Sequence, residues 1–389
     1  MSLLTKFSDL AVAREALADA DPSKVVIDEI LSPTEAMISG RRTILAGTNN
    51  YLGLTFDPDC IAAGQKALAE MGTGTTGSRM ANGNYSGHRA LEKELAEFYG
   101  YPYAMVFSTG YAANLGVLSA LLGPNDAVLL DADAHASLYD GASMTQAGIY
   151  RFKHNDPDSL DKRLSRLKDR AARTLVVIEG LYSVLGDTAP MQEFVEVKNR
   201  HDALLMVDEA HSLGVYGEQG RGVVESSGTL DQVDFVVGTF SKSLASTGGF
   251  CVSRHQELEL FQYASRPYMF TASPCPSVIA TTRAALNVLR TRPELKARLW
   301  RNAERLYGAL KERNLRLGPE VSPVVAIRLE DRGLALNAWK RLLENGVYCN
   351  LMLPPAAPEG GSVLRFSLSA AHTDEQVDTL IERIAALGL

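Results

Sequence analysis

Val233-Asp-Phe-Val-Val-Gly-Thr-Phe-Ser-Lys-Ser-Leu-Ala-Ser-Thr-Gly-Gly-Phe250 joins a strand signal to a lysine. The β-branched and aromatic run of Val233, Phe235, Val236 and Val237 predicts a buried strand. It empties into Gly238-Thr239-Phe240-Ser241-Lys242-Ser243, where small hydroxyl residues surround one amine. A lysine at the mouth of a strand, partly stripped of water, loses its preference for the charged form and can attack an aldehyde. Thr239 and Ser241 could donate to a phosphate beside it. The plain alternative is a solvated lysine next to a Gly/Ser turn, and a lone Ser-Lys-Ser does not separate the two.

Upstream, apolar runs alternate with helical segments from about 104 to 254. Ala104-Met-Val-Phe107 precedes a helix opening at Tyr111, and Ala127-Val-Leu-Leu130 precedes Asp131-Ala-Asp-Ala-His135. Thr174-Leu-Val-Val-Ile178 leads into Glu179-Gly-Leu-Tyr-Ser183, and Leu204-Leu-Met-Val207 into Asp208-Glu-Ala-His211. The lysine strand follows. This alternation predicts an α/β fold with a mostly parallel sheet covered by helices on both faces. Each polar cluster follows its run, and ligands gather at the carboxyl ends of such strands.

The organisation expected is an N-terminal arm (1–45), a large α/β domain (46–274) and a smaller α+β domain (275–389). The arm carries a helical pattern from Leu10 to Leu17 and a polar segment ending at Arg41-Arg42. Beyond Pro274, helices are expected over Ser277–Leu289, Pro293–Arg313 and Leu334–Leu343, with strands at Val324–Leu329 and near Val347 and Val363. A last helix should open at Asp374. Gly72-Thr-Gly74-Thr-Thr-Gly77 matches a dinucleotide fingerprint by letter, but a helical pattern precedes it where a strand is required. It reads as a flexible loop near a site.

Composition excludes several classes. The chain has 389 residues, 46% hydrophobic and 22% charged, enough for two packed domains. A net charge of −7 with interspersed signs argues against nucleic-acid or anionic-membrane binding. No apolar run is long enough to span a bilayer, and the first residues carry no secretory pattern. Cys60, Cys251, Cys275 and Cys349 are scattered without metal-ligand spacing, so reduced thiols and a cytoplasmic enzyme are expected.

Lys242 suggests pyridoxal phosphate, which also needs an acid at its ring nitrogen, phosphate donors and a group on the ring face. Asp208, at a strand end, suits the first, and His211 could bond the ring hydroxyl. Asp-Glu-Ala-His could equally be a helix N-cap. Ser108-Thr109-Gly110-Tyr111 stands between strand and helix and could hold a phosphate on backbone N–H groups, or simply cap the helix. His135 could stack on the ring or be a satisfied surface group. Asp131 and Asp133 lack the company that a metal site requires.

Asp208-Glu-Ala-His211, Gly238-Thr-Phe-Ser-Lys242, Asp131-Ala-Asp-Ala-His135-Ala-Ser, Phe270-Thr-Ala-Ser273 and Leu364-Arg365-Phe-Ser-Leu together resemble the α-oxoamine synthase family. These are fold-type I pyridoxal-phosphate enzymes, aspartate aminotransferase-like in fold, and the match runs from about Thr48 to the C-terminus. Ser32-Pro-Thr-Glu-Ala and Glu179-Gly-Leu-Tyr-Ser-Val-Leu-Gly-Asp187 add to it.

The resemblance implies Lys242 as the Schiff-base lysine and proton carrier at Cα, Asp208 on the pyridine nitrogen, and His211 on the ring hydroxyl. It implies His135 on the ring face and at the substrate carboxylate. Gly110, Tyr111, Thr239 and Ser241 would hold the phosphate, with Ser183 close by. Thr271 would reach the phosphate of a neighbouring subunit across a homodimer interface. Asn50 would approach the substrate from that interface, and Arg365 would bind the carboxylate. The implied reaction is decarboxylative condensation of L-serine with a long-chain acyl thioester of coenzyme A or acyl carrier protein. Its product is a 3-keto long-chain amine (3-ketodihydrosphingosine), the entry to sphingolipid synthesis. Glycine or alanine with another acyl group, or plain transamination, are the alternatives. One departure concerns Leu353-Pro354-Pro355, where some members have an arginine before the prolines; this bears on amino-acid choice.

Overall fold

The computed structural model describes residues 3–5, 7–15, 17, 20–354, 356–357 and 360–389. Two compact units emerge: Asn49–Ser183 with Asp187–Ala297, and Met1–Thr48 with Val184–Gly186 and Arg298–Leu389.

The first unit is built on a seven-stranded sheet. Its spatial order is Tyr103–Phe107, Gly249–Ser253, Phe235–Thr239, Leu204–Asp208, Thr174–Glu179, Ala127–Asp131 and Gly148–Phe152. All neighbours are parallel except where Gly249–Ser253 runs antiparallel to both its partners. Every residue of Ala127–Asp131, Thr174–Glu179 and Phe235–Thr239 is buried. A strand covered on both faces has no solvent side, so its sequence is continuously apolar and does not alternate. That is why the sequence placed these strands to within two residues. It did not anticipate Gly148–Phe152, an edge strand with alternating burial, or Gly249–Ser253, a short run behind a glycine pair.

Helices open directly behind the strands. Thr109 caps Gly110–Leu121 by accepting from Ala112 N–H, and His135 caps Ala136–Ser143 by accepting from Ser137 N–H. Gly72–Gly77 follows the helix Pro58–Met71, so the dinucleotide arrangement is absent there. The helix Pro276–Thr291 packs on Pro58–Met71, where Thr281 Oγ1 donates to Cys60 O at 3.3 Å. This packing moves the expected domain boundary at 274/275 to Ala297/Arg298.

In the second unit, Glu29–Ser32, Glu35–Ile38 and Arg41–Leu45 form antiparallel hairpins, and Val347–Tyr348 adds in parallel to Arg41–Leu45. Residues 1–45 are therefore not a separate arm. Ser39 and Gly40, with φ of 49° and 72°, close the second hairpin between Ile38 and Arg41. Positive φ at both central residues matches the right-handed twist of the strands. A second sheet pairs Val324–Leu329 with Ser362–Ser367 and Asn350–Met352, all antiparallel. Phe7–Glu15 is the first helix and Asp374–Ala385 the last. No helix among the described residues is long and apolar enough to cross a membrane.

Candidate active site

Three neighbouring strand ends and the N-termini of the helices Gly110–Leu121 and Ala136–Ser143 enclose a cavity of about 260 Å³ at the carboxyl edge of the first unit's sheet. Gly110, Tyr111, His135, Asp208, His211, Thr239, Ser241 and Lys242 all line it, joined by Asn114, Ser137 and Glu179. The carboxyl edge of a parallel sheet is where chain direction brings loops from separate βα units together. A larger opening of about 620 Å³ lies between the Ser86–Tyr99 helix and residues 258–263, and contains none of these groups.

Gly110 sets the geometry of the phosphate end. A Cβ there would stand 2.8 Å from Thr239 Cβ and 2.9 Å from its Oγ1, so only glycine lets the helix close onto the lysine strand. Thr239 Oγ1 donates to Gly248 O at 3.0 Å and shares a 2.8 Å hydrogen bond with Ser241 Oγ. The N–H groups of Gly110 and Tyr111, ahead of the capped Ala112, thus face the same space as two hydroxyls. A helix N-terminus is an anion site; with Thr239 O–H given to Gly248 O and Ser241 O–H to Thr239, each hydroxyl would turn from that partner to donate to an anion. The Tyr111 hydroxyl turns outward to Asp140 Oδ2.

Asp208 is the last residue of its strand and is buried. Its Oδ1 accepts from Ala210 N–H at 2.9 Å, and its Oδ2 from Asn114 Nδ2 at 2.7 Å. Asn114 Nδ2 also donates to Ser137 Oγ at 2.9 Å, and that hydroxyl lies 2.7 Å from His135 Nδ1. The Ser137 N–H also points at Nδ1, at 3.2 Å, which makes Nδ1 an acceptor and leaves the ring proton on Nε2. Burial lowers the His135 pKa, with the Asp208 charge opposing and Lys242 assisting. A neutral, flat imidazole is therefore tied to the aspartate through Asn114 and Ser137. Sequence reasoning passed over both, although Asn114 is the one amide in an apolar helix face, a usual sign of a partnered polar group.

His211 is buried, and its Nδ1 lies 2.7 Å from the hydroxyl of Tyr51, itself fully buried. Glu209 turns away from the cavity. It accepts from Val223 and Val224 N–H at 3.1 and 2.7 Å, and from the Ser212 hydroxyl. The alternative of a helix-capping acid thus applies to Glu209, while Asp208 faces the cavity.

The remaining expected residues stand apart. Ser183 is half-buried beyond the Thr174–Glu179 strand, and Asn50 is buried with its amide donating to Thr55 Oγ1 at 2.9 Å. Neither lines the cavity, nor does Thr271, which follows the exposed Phe270. Arg365 belongs to the second unit, where its Nη1 donates to Ser367 Oγ at 2.7 Å. Leu353 is half-exposed, and Pro355 lies outside the described residues. All four cysteines are free, and no metal-ligand cluster occurs among the described residues.

These groups suit pyridoxal phosphate: an amine for the aldehyde, an aspartate for the ring nitrogen, and a glycine-tight helix N-terminus for the phosphate.

Comparison with known proteins agrees. The family model for aminotransferase class I and II matches residues 42–384. The chain is 52% identical to serine palmitoyltransferase of Caulobacter vibrioides over 390 residues, covering 100% of this chain and 96% of that one. It is 50% identical to serine palmitoyltransferase of Sphingomonas paucimobilis over 391 residues, covering 99% and 93%. A solved structure of SPT with PLP internal aldimine superposes with a TM-score of 0.97 at 50% identity, covering 100% of this chain and 98% of that chain.

Proposed function

For this chain, which belongs to the aminotransferase class I and II family, we propose the reaction of a serine palmitoyltransferase within the α-oxoamine synthases. L-Serine condenses with a long-chain acyl thioester to give a 3-keto long-chain amine. The Cα–acyl bond forms as the thiol leaves, and the Cα–carboxylate bond breaks with loss of carbon dioxide. The convergence of Lys242, Asp208 and His135 on one cavity carries this reading.

Pyridoxal phosphate bound in the cavity supplies the electron sink that makes a carbanion at Cα accessible. Lys242 would hold the cofactor through its aldehyde, and its amine would move the proton at Cα. Asp208, fixed by Asn114 and Ala210 N–H, would pair with the ring nitrogen. Gly110 and Tyr111 N–H, with Thr239 and Ser241, would receive the phosphate. His211, oriented by Tyr51, would take the ring hydroxyl. His135 would cover the ring face and present Nε2–H to the amino acid's carboxylate, for which Arg365 would be the guanidinium. Fixing that carboxylate would select which bond at Cα reacts.

The protein acts as a cytoplasmic homodimer, with Asn50 and Thr271 serving sites at the subunit interface and Ser183 near the cofactor. The exposure of Phe270, beside Thr271, supports this assignment. An aliphatic Leu353 leaves carboxylate recognition to His135 and Arg365.

The test is an absorbance titration of the holoprotein with L-serine, glycine and L-alanine, with and without palmitoyl-CoA, alongside thiol release. Serine saturating at the lowest concentration, with thiol and carbon dioxide released on adding thioester, is expected. A preference for glycine or alanine would move the substrate within the family. Cofactor that borohydride still fixes covalently to Lys242→Ala would refute the lysine's role.

A further inference from the structure

Glu179 is the cavity-lining residue to which the proposed reaction gives no task. It ends the strand beside Asp208 in parallel register, Glu179 opposite Asp208. In-register side chains of parallel neighbours point to the same side, at a strand spacing of about 4.8 Å. Two carboxyls therefore stand side by side in one buried wall, both lining the cavity. Their surroundings differ. Each oxygen of Asp208 accepts from an N–H donor, Ala210 on one and Asn114 on the other. Glu179 receives the His135 N–H, while its buried Oε1 has no hydrogen-bond partner among the described residues. A donor set of that kind suits a carboxylate at 208 and does not suit one at 179.

Resting on the function proposed above, we propose that Glu179 is a positioning residue held as an un-ionised carboxylic acid. It keeps the wall's negative charge on Asp208 and offers an O–H donor to the cavity. The charge on Asp208 and burial act in the same direction on Glu179, both disfavouring a second negative charge beside the first. The groups facing it are Asp208, Lys242, His135, Asp131 and Tyr182, and of these Lys242 and the His135 backbone N–H oppose the effect.

Were Glu179 ionised, a second negative charge would stand beside Asp208 and the O–H donor it offers the cavity would be lost. Cofactor binding would then weaken. Glu179→Gln keeps the shape, neutrality and an N–H donor; Glu179→Ala removes all but the space. The measurements are the infrared difference spectrum of wild-type holoprotein minus Glu179→Gln at neutral pH, and cofactor affinity from apoprotein titrations across the pH range.

The expected difference spectrum contains the C=O stretch of an un-ionised carboxylic acid. Cofactor affinity of Glu179→Gln should match wild type at neutral pH. Above the point where Glu179 ionises, wild type should bind about tenfold more weakly than Glu179→Gln, the order expected for the loss of one hydrogen-bond donor. A carboxylate band in place of the acid band overturns the proposal. So does a Glu179→Gln protein that binds the cofactor as poorly as Glu179→Ala at neutral pH. Absence of any bound-cofactor band in wild type would overturn this proposal and the parent reading together. The infrared result with normal wild-type binding separates the two.

Discussion

Replacing His154 tests how the carboxyl end of the Ala127–Asp131 strand is held. Its Nδ1 lies 2.8 Å from Asp131 Oδ1, and its Nε2 lies 2.7 Å from Asp187 Oδ2. Asn155 joins the same aspartates: its N–H donates to Asp131 Oδ2 at 2.9 Å and its Nδ2 to Asp187 Oδ2 at 2.8 Å. One ring thus ties the end of the strand Ala127–Asp131 to Asp187, beyond the loop that follows Glu179. Burial alone would lower the pKa of this histidine. The hydrogen bonds to the two aspartates and their charges outweigh burial and push it from 6.5 up to about 10. At about 1.4 kcal/mol per tenfold change, that interval corresponds to roughly 5 kcal/mol. With the ring 24% exposed and two aspartates sharing one cation, screening brings it to roughly 3 kcal/mol. Because the folded value is raised, the stabilisation is fully present below about 6.5 and is lost as pH rises through about 10. Urea unfolding of wild type and His154→Gln at about pH 6 and about pH 10.5 measures it. The gap between the proteins should be roughly 2–3 kcal/mol at the lower pH and under about 1 kcal/mol at the higher. An equal gap at both would show that the ring is not an imidazolium clamp.

Gly110→Ala should weaken pyridoxal phosphate binding by at least about tenfold, because the added methyl meets Thr239 at 2.8 Å and pushes the helix N-terminus off the hydroxyl pair. Cofactor titration of the apoprotein reads this, and wild-type affinity would show that the close approach is not required. Tyr51→Phe removes the hydroxyl that lies 2.7 Å from the buried His211 Nδ1. Turnover should fall about five- to tenfold, in line with roughly 1–1.5 kcal/mol for such a loss. An unchanged steady-state rate with L-serine and thioester would show that Tyr51 does not orient His211.

Much of the architecture was legible in the amino-acid order, because fully buried parallel strands announce themselves as unbroken apolar runs. Val236, Val237, Val176 and Leu129 are all essentially inaccessible to solvent. The polar residues that end such runs were legible for the same reason. Chain direction in a parallel sheet delivers Asp131, Glu179, Asp208 and Thr239 to one edge. Lys242, Asp208 and His135 could therefore be grouped before any coordinates existed.

Tertiary structure alone decided the rest. Whether residues 1–45 are an arm depended on Val347–Tyr348 pairing with Arg41–Leu45, a contact across about three hundred residues that no local pattern encodes. The edge strand Gly148–Phe152 had too weak an apolar signal, since one side of it meets solvent. Within the site, Asn114, Ser137 and Tyr51 were invisible as functional groups, because their roles lie in hydrogen bonds to residues 94, 23 and 160 positions away, to Asp208, from Asn114 and to His211 respectively. Glu179 and Asp208 look alike in the chain, each an acid closing an apolar run. What sets them apart is tertiary: burial and the neighbouring Asp208 charge act on Glu179, and two N–H donors serve Asp208 where a single backbone N–H serves Glu179.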